Sequence, residues 1–377
     1  MKRLLLLGTG GIAAHHVQEF AAIPECGIVA CVDLVPGKAA KFAAENGIER
    51  HFDSLEEALG WGGFDAAVNC TPDGVHKATT LALLAAGKHV FCEKPLAPSH
   101  ADALAMTEAA EAAGLVNMVN LTYRNSPALQ QARRMVEAGE IGTLRHVEAA
   151  YRQSWLVSKA WGDAMSEPQW LWRQSTAHGS TGVLGDVGIH MLDFASFGAA
   201  DDFASLKAEL VTFPKVEGDR IGDYVLDAND SVAMTARLKS GALATVLATR
   251  FATGHLNDLS LSLHGTRGAL KVETDGGASR LSACLGADID RNRWVQLETP
   301  PVKRNARRFA DALLAGVNGD PSFRRAADIQ KLIDAAFQSS ASDRTVVVAW
   351  STSGESGNRF RPGLRPARPA AAVICGA

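Results

Sequence analysis

The six residues GTGGIA, Gly8 to Ala13, constrain the fold of this chain more than any other stretch. They follow RLLLLG, a short continuous apolar run of the kind that forms a strand buried on both faces. Helix-compatible sequence runs on from Gly11 to Ala22. A strand that passes into a helix through G-x-G-x-x-A points free backbone N–H groups and the positive end of the helix dipole at the turn. Gly8 permits the tight turn, Gly10 lets the backbone approach a pyrophosphate, and Ala13 is small enough for close helix–strand packing. Gly11 and Ile12 complete the loop. A second strand, GIVACVD, ends at Asp33, 22 residues after Gly11. A carboxylate there accepts hydrogen bonds from a ribose 2′-hydroxyl and repels a 2′-phosphate. The expected cofactor is NAD in preference to NADP, although Lys38 lies close by and no arginine directly follows Asp33. Taken alone, the same residues also suit an ordinary glycine-rich turn beside a surface aspartate.

The alternation continues. DAAVNC (65–70), KHVFCEKP (88–95) and LVNMVN (115–120) are further strands, and DGVHKATTLALLAAG (73–87) is helical between the first two. Strand–helix–strand at this spacing predicts βαβ units and a doubly wound parallel sheet. Beyond it the pattern changes. DSVAMTARLKSGALATVLATRFA (230–252) alternates on either side of Ser240-Gly241, and LSLSLHGTRGALKVE (259–273) does so around Arg267-Gly268, so both predict antiparallel hairpins. The expected division is a dinucleotide-binding domain over 1–122 and an α/β domain with a large, open, mainly antiparallel sheet over 123–350. Residues 351–377 are dominated by Gly, Pro, Arg and Ala without periodicity, which predicts a disordered extension.

Composition removes several classes of function. A net charge of −3 gives no reason to expect nucleic acid or an anionic membrane as partner. The six cysteines are scattered with no CxxC pair, and the histidines form no cluster at ligand spacing, so reduced thiols and no metal site are expected. MKRLLLLGTGGIAA imitates a signal peptide, but its apolar run stops at Leu7, short of the roughly 7–15 residues such a segment needs. No run reaches the roughly 18 apolar residues of a membrane span. These features predict a cytoplasmic protein.

The segment GDVGIHMLD (185–193) sets Asp186 and His190 four residues apart among small and apolar neighbours. Read by itself, it is either a capped helix with a core histidine or part of a site. Together with TPDGVH (71–76), GKHVFCEKPLA (87–97) and GEIGTLRHVEA (139–149), it resembles the glucose–fructose oxidoreductase/inositol dehydrogenase/rhizopine catabolism (Gfo/Idh/MocA) family. NARRFADALLAG (305–316) and IQKLIDAAFQSSASDRTVVV (329–348) resemble that family's closing helices and last strand. The resemblance spans roughly residues 1 to 350. It implies a Rossmann domain followed by the open-sheet domain, an NAD-dependent oxidoreductase acting on a sugar, sugar derivative or cyclitol, and a homo-oligomer, dimer or tetramer, assembled through the second sheet.

Oxidising a secondary alcohol requires a base for the hydroxyl proton, a hydride acceptor and a group that steadies developing negative charge. The resemblance puts Lys94, Asp186 and His190 beside the nicotinamide. Histidine has a suitable unperturbed pKa for the base, and Lys94 follows a strand's carboxyl end, where doubly wound sheets hold ligands. His190 is expected to take the proton, Lys94 to stabilise the alkoxide and Asp186 to orient and support. Thr71, Pro72, His76 and Glu93 are candidate cofactor contacts, with local pairing the plainer reading of Glu93 and a core or surface place that of His76. In the linker NLTYRNSP (120–127), Asn120, Tyr123 and Arg124 are candidate substrate contacts, as are Trp172 and Arg173. Residues 154–174 hold four of the seven tryptophans, suited to a sugar face or to packing. The loop GSTGVLGD (179–186) departs from the family's consecutive glycines. An NAD-dependent glycosidase working through transient oxidation, and a non-enzymatic NAD-binding regulator, are the alternative functions.

Overall fold

The computed structural model of the chain describes residues 1–275 and 277–350. The extension expected over 351–377 lies outside the described residues. The first layer is a six-stranded sheet made of β1 (Lys2–Leu7), β2 (Cys26–Val32), β3 (Arg50–Phe52), β4 (Ala66–Asn69), β5 (His89–Cys92) and β6 (Asn117–Val119). Its strands lie in the order β3-β2-β1-β4-β5-β6, all parallel. Helices α1 (Ala13–Ala21), α2 (Lys38–Asn46), α3 (Leu55–Trp61), α4 (His76–Ala85) and α5 (His100–Ala112) connect successive strands. Leu4, Leu5 and Leu6 are all fully buried, because helices cover both faces of the sheet.

Strand order reverses between β1 and β4, the switch point at which such sheets bind ligands. Leu7 is in register with Asn69, Asn69 with Cys92, and Cys92 with Val119. The loops that begin at Gly8, Cys70, Glu93 and Asn120 therefore leave the sheet along one edge.

The chain then builds α6 (Pro127–Glu137), β7 (Leu144–Gln153), the short α7 (Pro168–Leu171), α8 (Ile189–Ala199) and β8 (Phe203–Val211). A small ribbon, β9 (Arg220–Ile221) with β10 (Tyr224–Val225), precedes β11 (Ser231–Leu238), β12 (Leu243–Thr249), β13 (Asn257–Gly265), β14 (Gly268–Asp275), β15 (Ala278–Leu285) and β16 (Val295–Leu297). Helices α9 (Asn305–Ala315) and α10 (Phe323–Ser342) and strand β17 (Val346–Val347) complete it. The nine-stranded sheet runs β16-β15-β14-β13-β7-β12-β11-β8-β17. Only β7 and β12 pair in parallel, so the sheet is mainly antiparallel, and both expected hairpins form. Along β11, Val232, Met234, Ala236 and Leu238 are buried while the residues between them face outward. Helices α6, α8 and α10 cover that inner face. No described helix is long and apolar enough to cross a membrane.

The second domain does not take every residue after 122, as the expected boundary has it. Helix α9 returns to the first sheet, where Phe309, Ala310 and Leu313 share a core with Leu4, Leu6, Phe20 and Phe91. Amphipathic spacing reveals that α9 buries one face, not which sheet receives it. The Phe309 ring lies 5.3 Å from that of Phe91 and 6.5 Å from that of Phe20. Phe309→Ala should therefore cost about 3–5 kcal/mol of stability, measured by urea unfolding; a change below about 1 kcal/mol would mean that α9 merely rests on the sheet.

Candidate active site

Gly8 has φ 88°, and a Cβ there would sit 2.8 Å from the carbonyl oxygen of Cys70. This turn admits only glycine on both counts. A Cβ on Gly10 or Gly11 would meet nothing within 4 Å beyond its own chain neighbours, so the backbone at the start of α1 is open to close approach by a pyrophosphate. Ala13 is fully buried, and Ile12, 40% exposed, supplies no side-chain cap to α1. At the end of β2, Asp33 Oδ2 accepts from Thr9 N (3.0 Å), Thr9 Oγ1 (2.6 Å) and Lys38 Nζ (2.8 Å). Its Oδ1 accepts from Val35 N at 3.1 Å. Burial opposes ionisation of this carboxyl, but the hydrogen bonds from Lys38 and Thr9 prevail and draw its pKa down to about 2. A glycine turn with a fixed carboxylate hydrogen-bonded to its Thr9 fits a dinucleotide.

Lys94, just past β5, reaches across to the second domain. Its Nζ lies 3.3 Å from Asp186 Oδ1 and 3.1 Å from the Asp186 carbonyl oxygen. Asp186 Oδ2 also lies 3.0 Å from Arg250 NH2 and 3.3 Å from Arg173 NH1. Three cations thus converge on one carboxylate and hold it ionised against the cost of its burial. Asp186 stands in a π-helical turn, Leu184–Gly188, that leads into α8, a geometry often found at functional positions. It does not cap the helix. The N–H groups of Val183 and Leu184 go instead to the main-chain and side-chain oxygens of Asn229, at 2.7 and 3.0 Å.

His190 lies one turn beyond, 7% exposed, its ring edge-to-face with Tyr123 at 5.0 Å. Burial, reinforced by the Lys94 charge, lowers its pKa to about 3, with Asp186 acting the other way. The imidazole is therefore neutral at ordinary pH. No hydrogen bond joins it to Asp186, so the expectation that Asp186 orients His190 is corrected: Asp186 holds Lys94 and two arginines.

Several further candidates are turned inward. His76 Nδ1 lies 2.8 Å from the Pro95 carbonyl oxygen and Nε2 lies 2.7 Å from that of Thr71. Carbonyls only accept, so both ring nitrogens carry protons and the ring is an imidazolium. Burial alone would lower its pKa, but Cys92, the Pro95 carbonyl and Asp73 raise it to about 10. His76, fully buried, is thus a clip between the loop after β4, with Thr71 and Pro72, and the Lys94–Pro95 turn, not a surface that faces a cofactor. Glu93 is engaged by His16 (2.7 Å), by the Asn120 amide (2.7 Å) and by the backbone N–H of Lys94 (3.2 Å). Glu93 and Asn120 accordingly brace the turn from behind; neither presents a free group to ligand. Arg124 is 2% exposed, paired with Asp193 at 2.6 and 2.7 Å and stacked on Phe197. It joins the linker to α8 and is not a substrate contact. The Tyr123 hydroxyl bonds Tyr151 at 2.7 Å and Asn257 at 3.4 Å, which leaves its ring as the surface presented to His190. Trp155, Trp161 and Trp170 pack on one another. Trp172 carries Arg173 stacked on its ring at 4.6 Å.

Arg250 escaped the sequence reading. It is fully buried, although it continues the inward-facing series Ala244, Val246, Ala248 of β12; a charge on the apolar register of a strand was the available signal. Asn229 gave none, because its partners lie 45 residues away.

Comparison with known proteins agrees with this architecture. Residues 2–121 match the model of an oxidoreductase family with an NAD-binding Rossmann fold, and residues 129–271 match that of the GFO/IDH/MocA C-terminal domain. Levoglucosan dehydrogenase of Pseudarthrobacter phenanthrenivorans is 26% identical over 91% of this chain and 97% of its own length. 1,5-Anhydro-D-fructose reductase of Ensifer adhaerens is 32% identical over 72% of this chain and 75% of its own. A solved levoglucosan dehydrogenase in complex with NADH superposes with a TM-score of 0.82 at 25% identity, covering 92% of this chain and 99% of that one.

The His76 clip has a pH signature. A folded-state pKa raised to about 10 gives stabilisation that is complete below the unfolded value of about 6.5 and is lost as pH rises through about 10. Melting temperature should therefore fall more steeply between those limits in the unaltered protein than in His76→Gln; parallel curves would mean that the ring is neutral.

Proposed function

The chain belongs to the Gfo/Idh/MocA family of NAD-binding oxidoreductases, and from that premise we propose that it oxidises a secondary hydroxyl of a sugar, sugar derivative or cyclitol, with His190 as base and Lys94 stabilising the alkoxide. The observation that carries this reading is the meeting of Lys94 with Asp186 beside a neutral His190, at the sheet edge where the glycine turn opens. Gly8, Gly10, Gly11, Ile12 and Ala13 would hold the pyrophosphate of NAD, Asp33 would take its adenosine ribose diol, and Thr71 and Pro72 would stand on its nicotinamide side. Bound NAD supplies the hydride acceptor.

The chain's own groups do the rest. His190 is unprotonated throughout the working range and accepts the hydroxyl proton. A weak base suffices because the Lys94 ammonium donates to the oxygen as it becomes an alkoxide. Asp186 fixes Lys94 through its carboxylate and its carbonyl, and Tyr123 limits rotation of the imidazole by ring packing. Arg250 keeps Asp186 ionised. The outward face of the nine-stranded sheet, with Glu148, Arg152, Lys207, Thr235 and Leu247, is where we place contact with further copies of the chain.

His190→Ala and Lys94→Ala should each lower turnover by roughly 10²- to 10⁴-fold while retaining NADH binding, read by initial rates on a sugar and cyclitol panel and by fluorescence titration. Normal turnover of His190→Ala on a good substrate would remove the histidine from the mechanism. Asp33→Ser should shrink the preference for NAD over NADP by roughly tenfold or more, since it removes an acceptor and a repulsive charge. An unaltered protein that prefers NADP would overturn that assignment.

A further inference from the structure

Resting on the oxidoreductase reading above, we propose that the substrate carries a carboxylate on its sugar or polyol frame, and that Arg173 receives it. The argument is one of charge. Around the reacting position three cations, Lys94, Arg173 and Arg250, share the single carboxylate of Asp186. Arg250 is fully buried, so its charge must be answered within the fold, and Asp186 at 3.0 Å answers it. The other carboxylate near Arg250, Asp230, is taken by Lys215 at 2.8 Å. Lys94 holds both the carboxylate and the carbonyl of Asp186. Asp73 forms no ion pair among the described residues and acts from a distance on His76, Lys94 and Arg173, and Glu93 is occupied behind the Lys94 turn.

The surplus positive charge therefore falls on Arg173. Its side chain is 34% exposed, more than Lys94 at 22% and Arg250 at 0%. One nitrogen touches Asp186, at a long 3.3 Å; among the described residues no other carboxylate forms an ion pair with it, and Asp73 acts on it only from farther off. Yet the residue is held at both ends. Its carbonyl oxygen accepts from Ser180 Oγ at 2.6 Å and Arg250 NH1 at 3.2 Å, and its guanidinium lies over the Trp172 ring. A planar donor fork stacked on an aromatic ring, with one long ion pair and the rest of its N–H groups open, suits bidentate recognition of a carboxylate. The carboxylate takes no part in the reaction. Bound NAD would accept the hydride and His190 the hydroxyl proton, so that the acid would leave as a keto acid. Hydroxyls alone would leave Arg173 sharing Asp186 with Lys94 and Arg250, with no counter-ion of its own.

The test uses matched pairs on the full chain with NAD: D-gluconate against D-sorbitol, and D-glucuronate against D-glucose. Each acid should show a kcat/KM roughly tenfold or more above its neutral partner, mostly through KM. Arg173→Gln should bring that ratio close to one, and Arg173→Lys should restore part of it. A preference for the neutral partner, or a ratio unchanged in Arg173→Gln, overturns the proposal while leaving the oxidoreductase reading intact. If none of the four is oxidised, fluorescence of the protein–NADH complex decides: acid-specific binding that Arg173→Gln abolishes supports the proposal, and its absence refutes it. Failure of the oxidoreductase reading is a separate result, namely no NADH formed from any member of a broad sugar, acid and cyclitol panel.

Discussion

The contact between Lys94 and Asp186 is the constraint around which the site is arranged. It joins a turn of the parallel sheet to a helix of the second domain. Neither half has the same chemistry alone. Without Asp186, Lys94 is a flexible side chain at a loop; without its cations, Asp186 is a carboxylate that burial would push towards neutrality. Their meeting depends on both folds, which set the carboxyl end of β5 and the start of α8 against each other.

Much of the surrounding structure serves that contact. The π-helical turn carries Asp186 while Asn229 satisfies the helix start, which frees the carboxylate for Lys94, Arg173 and Arg250. On the opposite side, His76 pins the turn after Lys94 to the loop after β4, and Glu93 with His16 and Asn120 supports it from below. A second set of ions, Arg124 and Arg325 on Asp193, fixes the linker and α10 to α8. Buried polar groups of this kind are costly if a member is lost, so their number around one turn reflects how narrowly the ammonium must be placed.

The fold was largely legible in the sequence, because its signals are local. The apolar run of β1, the glycine turn and the two hairpins each declare themselves within about a dozen residues. What was not legible is which surface a residue meets. Helix α9 showed a buried face without showing that it belongs to the first sheet. Arg124 and Asn120 sit in a linker beside the cleft, yet both turn into the core, because Asp193 and Glu93 wait there. His76 was recognisable as part of a motif, but its imidazolium state follows only from two carbonyls 24 residues apart in sequence. Arg250 could have been found by following the register of β12.

The central claim is that Lys94 and Asp186 act as one unit, and a double-mutant cycle on turnover tests it most directly. Rates for Lys94→Ala, Asp186→Ala and the double variant should be strongly non-additive, with the double variant no slower than the more damaged single one. Losses that multiply would contradict the account, because the two residues would then be acting independently.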